Sequence, residues 1–62
     1  MNNYIKNTHA IKKVLIEDYG SKAAELELVR NPFNKQLLEV KGPGGTTLET
    51  YFHISKLGWI KQ

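Results

Sequence analysis

The sequence predicts an α+β domain: an N-terminal helix packed on a three-stranded antiparallel meander, closed by a short C-terminal helical turn. Two patterns carry this expectation. Apolar residues recur at helical spacing between Thr8 and Tyr19, and three later segments alternate with period two between turn signals. A third observation bounds the answer. Sixty-two residues without a cysteine allow one core and no disulfide, and a chain this short buries only about 60% of its unfolded surface. Residues 1–62 are therefore read as a single small domain stabilised by packing alone, for which a homodimer that adds core is a natural partner expectation.

In the first segment Ile11, Val14, Leu15 and Tyr19 fall at i, i+3, i+4 and i+8, one stripe of a helix, with Thr8 as expected N-cap and Gly20 as the stop. The run Val14-Leu15-Ile16 is β-prone, so a strand from Ile11 to Tyr19, giving a small all-β domain of four strands, is the alternative. Ala24 to Arg30, Gln36 to Lys41 and Thr46 to Ile54 then read as strands. They are joined by a turn at Asn31-Pro32-Phe33-Asn34 and a loop at Gly42-Pro43-Gly44-Gly45. The tail from Ser55 reads as one helical turn ended by Gly58, with Trp59 and Ile60 over the open end of the core.

Alternation fixes faces. With Leu26, Leu28, Leu38, Val40, Leu48, Phe52 and Ile54 pointing inward, the outer face becomes Glu25, Glu27, Val29, Leu37, Glu39, Lys41, Glu49, Tyr51 and His53. That face carries four carboxylates and one lysine, so it should repel a phosphate backbone. Charge is uneven along the chain as well. Residues 1–13 carry Lys6, Lys12 and Lys13 without an acid, and residues 50–62 carry Lys56 and Lys61 without an acid. The centre holds all six acids, and the whole chain is +3.

Signs of catalysis are weak. The glycine-rich loop lacks the lysine before Ser/Thr and the following helix that a phosphate cradle needs, and it reads as a hairpin loop. His9 and His53 lie in different elements without a nucleophile at triad spacing, and no His/Asp/Glu set has metal-ligand spacing. Glu17 and Asp18 are neighbours on a helix and point apart. The expectation is a non-enzymatic binding protein without metal or cofactor. The longest run of large apolar residues, Val14-Leu15-Ile16, is far from spanning a bilayer, and the start lacks the apolar core of a secretory signal. Location is therefore expected to be cytoplasmic, without a membrane partner.

Two binding modes follow. In the first, a regulatory DNA- or RNA-binding protein uses its basic termini: Lys6, Lys12, Lys13, Lys56 and Lys61 neutralise phosphates while Tyr4 or Trp59 stacks. Trp59 has a second role open to it, as the lid of the core, and that is the favoured one. Phe33 in the first turn reads either as a ring folded back over its own hairpin or as an exposed aromatic. In the second mode a protein-binding adaptor or inhibitor uses the acidic sheet face, centred on Val29, Leu37, Tyr51 and His53. The order of elements is similar in outline to the double-stranded RNA-binding domain and to integrase arm-binding domains. The basic motif that opens a full C-terminal helix in the former has no counterpart here, and the latter reads DNA with a sheet face that is expected here to be acidic.

Overall fold

Residues 4–62 are described by a computed structural model of the chain. A twelve-residue helix, α1 (Thr8–Tyr19), continues through a 3-10 segment (Gly20–Glu25) into four strands, β1 (Glu27–Arg30), β2 (Leu37–Lys41), β3 (Thr47–Ile54) and β4 (Gly58–Lys61). The strands form one sheet in chain order, every neighbouring pair antiparallel. The α+β expectation holds, and the all-β alternative for residues 8–19 does not. Ile11 and Leu15 lie buried and Val14 partly buried along one helical stripe, whereas the three-residue step from Ile11 to Val14 would put those two on opposite faces of a strand. The cap is one residue earlier than expected. Asn7, not Thr8, accepts the Ala10 N–H on its side-chain oxygen at 2.8 Å, and Gly20 at φ 62 ends the helix. No helix among the described residues is long and apolar enough to cross a membrane.

The tail corrects the expected helical turn. Ser55 to Leu57 close a tight connection in which the Leu57 N–H reaches the Ile54 carbonyl, and the chain returns as β4 beside β3. Gly58 opens that strand instead of ending a helix. On the far side of β4 the N-terminal segment adds one further rung, with Ile5 and Trp59 exchanging both backbone hydrogen bonds at 2.7 Å. Apolar Trp59 and Ile60 alternate on β4, so each sheet face receives one of them, an arrangement that a helical turn would not provide.

The face of β3 is the second correction. Opposed residues share a face, and the observed pairs are Leu38 with Tyr51 and Val40 with Glu49. Glu49, Tyr51 and His53 therefore point to the helix side, while Phe52 and Ile54 point away. Register slips between Val40 and Lys41, where Thr47 and Glu49 pair with adjacent β2 residues, so Leu48 is the extra residue of a bulge and stands 46% exposed. The core consists of Ile11, Leu15, Leu38, Val40, Tyr51 and Trp59, none more than 5% exposed. Period-two alternation does not choose between Leu48/Phe52/Ile54 and Tyr51. Tyr51 and Trp59 together fill the volume under α1, and Phe52 finds its neighbours in Leu37 and Ile60 on the other face.

The acidic face dissolves with this register. Glu25 belongs to the 3-10 segment and Glu49 lies on the inner side, which leaves Glu27 and Glu39 outside. Glu39 is neutralised by Lys41 at 2.8 Å. Its carboxyl sits below the usual carboxylate range, held there first by that lysine and then by the Asn31 amide.

Candidate nucleic-acid interface

Antiparallel register brings three separate stretches of chain to one end of the sheet. The turn after Arg30 and the turn after Ile54 meet there, because Leu37 pairs with Phe52 and the His53 N–H donates to the Gln36 carbonyl. The Ile5 bridge to Trp59 adds the N-terminal stretch. These segments carry Lys6, Arg30, Lys35, His53 and Lys56, and none of the chain's six carboxylates falls in them. Lys6, His53 and Lys56, with Leu57 and Gly58, line an open pocket of about 300 Å³. Beside it Trp59 supports two of the polar groups. The His53 ring lies 4.8 Å from it, tilted by 53°, and the Arg30 guanidinium sits 5.4 Å from its centroid. A cation held over an indole gains about 0.5–1 kcal/mol at a partly exposed site and loses orientational freedom. Arg30 is thus positioned without a carboxylate partner.

The opposite end holds carboxylates interleaved with lysines. Glu49 accepts the Tyr19 hydroxyl at 2.8 Å and lies 3.2 Å from Lys61, all through Oε2, while its buried Oε1 has no partner among the described residues. The bond that Tyr19 donates raises its own phenol above the ordinary value. Burial, then the charges of Glu49 and Asp18, push Tyr51 up to about 12. Helix α1 runs from the basic end to this one, since its N-cap follows the Ile5 bridge by two residues and its last residue touches Glu49. Glu17 and Asp18 occupy its last turn, which contains no basic residue. Carboxylates there oppose the helix dipole by about 0.3–1 kcal/mol each at low salt. The carboxylates thus lie away from the Lys6, His53 and Lys56 pocket: Glu39 and Glu49 pair with Lys41 and Lys61, and Glu25 shares a groove with Lys22.

Among the expected nucleic-acid residues, Lys6 and Lys56 meet in the pocket and Tyr4, half-buried, lies two residues before Lys6. The other lysines lie elsewhere. Lys12 lines a groove with Leu15, Ile16 and Ala23 at the seam between α1 and the 3-10 segment, Lys13 is exposed along α1, and Lys61 is engaged by Glu49. Trp59, 5% exposed, is the lid of the core and presents no free ring face to a base, which corrects its stacking role. Of the expected protein-contact residues, Val29 and Leu37 lie on the outer sheet face, whereas Tyr51 and His53 lie on the inner one. Arg30, Lys35 and Phe33 were not anticipated as a group. The signal for them is the acid-free stretch from Leu28 to Leu38, which interrupts the otherwise acidic centre.

Lys56 carries a second mark. It is the one non-glycine among the described residues with positive φ, at 71°. A side chain in that region costs about 1–2 kcal/mol relative to its usual conformations. Lys56→Gly is expected to raise stability by about 0.5–1 kcal/mol in a urea melt while weakening polyanion binding. A variant both more stable and undiminished in binding would show that the lysine serves neither purpose.

Among the described residues no group of three or more His, Cys, Asp or Glu side chains is placed to hold a metal ion. No protein-family model, curated protein or solved structure matches the chain.

Proposed function

We propose that this chain is a small binding domain that grips the phosphate backbone of a nucleic acid with the basic end of its sheet, through Lys6, Arg30, Lys35 and Lys56, with His53 as a further hydrogen-bonding group. The observation that carries this reading is the meeting of Lys6, His53 and Lys56 in one pocket, with Arg30 held over the neighbouring Trp59 and no carboxylate in the three segments that supply these groups and Lys35. A field of one sign concentrated at one end attracts a polyanion and orients it before contact. Arg30, already held over Trp59, loses little side-chain freedom on binding.

Salt titration of binding to labelled DNA and RNA tests it. Four phosphate contacts predict a slope of log K against log salt of about −3. Alanine at Lys6, Arg30, Lys35 or Lys56 each reduces that slope by about one. Lys13→Ala and Lys61→Ala, away from this end, leave it unchanged. Absence of binding at low salt, or equal effects from both sets of lysines, refutes the assignment.

The outer sheet face supports a second reading. Leu37, Phe52 and Ile60 form a row across three strands, flanked by Val29 and Ile54, all half-buried and on the sheet face away from α1. With Glu39 paired to Lys41 the face is close to neutral, so two copies of it do not repel. The occupant this suits is a second copy of the chain, packed sheet on sheet, which would supplement a core of six residues. Sedimentation equilibrium then finds a dimer that Phe52→Lys converts to monomer. A wild-type monomer at about 100 μM, where even weak interfaces of this size associate, removes this reading.

A further inference from the structure

We infer that Phe33 stacks on an unpaired base, so that the nucleic acid bound at the basic end is single-stranded. This rests on the phosphate-binding assignment above and goes beyond it in naming the ligand's form. Phe33 is 96% exposed, the extreme among the large apolar side chains, although a turn phenylalanine ordinarily folds back on its own hairpin. The turn beneath it is tied down. Asn31 Oδ1 accepts the N–H groups of Phe33 at 2.8 Å and Asn34 at 3.0 Å, and Asn34 Oδ1 accepts that of Gln36 at 3.0 Å. Backbone bonds between Asn31 and Leu37 and between Leu37 and Asn34 close the loop, and Pro32 restricts the residue before the ring. The Asn31 amide also donates to Glu39, itself fixed by Lys41, so the turn is anchored to the sheet.

A ring presented outward on a rigid turn pays little ordering entropy when it meets a flat partner. Arg30 and Lys35 flank it in sequence within an acid-free stretch, which sets cations beside an aromatic platform. That combination holds single strands, in which each base offers a free face and the backbone passes nearby. In a duplex both faces of every base are already stacked, and the ring has nothing to cover without prising a step apart. An apolar protein pocket would accept Phe33 but would leave the surrounding cations without counter-charges.

Anisotropy titrations with a labelled oligodeoxythymidylate and a mixed-sequence duplex of equal length decide it. The single strand is expected to bind at least tenfold more tightly. Phe33→Ala is expected to weaken it by about tenfold, leaving duplex binding and the salt slope unchanged, and Phe33→Trp to retain or increase affinity. Because the ring touches so little, the melting temperature of Phe33→Ala should match wild type, so a binding loss is not a folding loss. Equal affinity for duplex and single strand, or Phe33→Ala without effect while Lys56→Ala weakens binding, overturns the stacking role and leaves phosphate binding standing. Binding indifferent to salt and to every lysine variant overturns both.

Discussion

Gly58→Ala is expected to remove most of the stability of the domain. A methyl group at Gly58 would run into the carbonyl oxygen of Ile5 and lie 3.3 Å from the Cα of Lys6, both of them backbone. The residue also stands at φ 116, where a side chain is strained regardless of space. Relief requires the N-terminal segment to lift off β4, breaking the paired bonds between Ile5 and Trp59 and loosening the indole that seals the core. Strain and lost hydrogen bonds together amount to about 3–4 kcal/mol, against the about 3–5 kcal/mol a single core of this size supplies. Gly45→Ala is the matching control. Its φ of 82 imposes strain, but nothing lies within 4 Å of the added methyl, so only about 1–2 kcal/mol should be lost. Equal urea midpoints for the two variants would contradict the close crossing. Since Lys6 directly follows Ile5, Gly58→Ala should also weaken polyanion binding under conditions where it remains folded.

Alkaline unfolding with a tyrosine signature is the second large effect. Burial of Tyr51, 1% exposed, disfavours the phenolate, and the neighbouring charges of Glu49 and Asp18 add to this, so the group titrates at about 12 instead of 10. Between those values the open chain has lost the proton and the fold has kept it. The folded state binds more protons there, and stability must fall as pH rises from 10 to about 12, having been fully present below 10. A shift of this size corresponds to about 2–3 kcal/mol across the window. Tyr19, raised by the bond it donates to Glu49, acts in the same direction. Tyr51→Phe keeps the packing and deletes the ionisation. Its stability should track wild type below pH 10 and exceed it by about 2 kcal/mol near pH 12 in urea titrations. Parallel curves for the two proteins throughout would mean that the phenol is not enclosed by the fold.

The basic end was legible only in part. Lys6 and Lys56 stand out because the termini lack acids, and both reach the pocket. Lys12, Lys13 and Lys61 stand out for the same reason and do not, because linear charge says nothing about which side of a helix or which end of a strand a residue occupies. Arg30 and Lys35 lie in the acidic middle, marked there only by the acid-free stretch from Leu28 to Leu38, and their place at this end of the sheet follows from β1 and β2 folding back on one another. Phe33 was visible as a turn aromatic. Its outward ring depends on the asparagine network beneath it, in which Asn31 spends its side chain on the turn and on Glu39 together.

By itself the sequence favoured a helix from Thr8 to Tyr19 over a strand, and determined the strand character of the three segments that follow, the first of which begins at Glu27 and not Ala24. Local periodicity and turn residues encode these, and each needs only its own neighbours. Tertiary structure alone decided which side of β3 faces the helix, that the tail is a fourth strand, and which of the basic residues meet at one end of the sheet. A strand apolar on both sides reads alike from either, so its facing is chosen by what fills the volume under α1. That choice went to Tyr51 and Trp59, brought together by pairing across three strands.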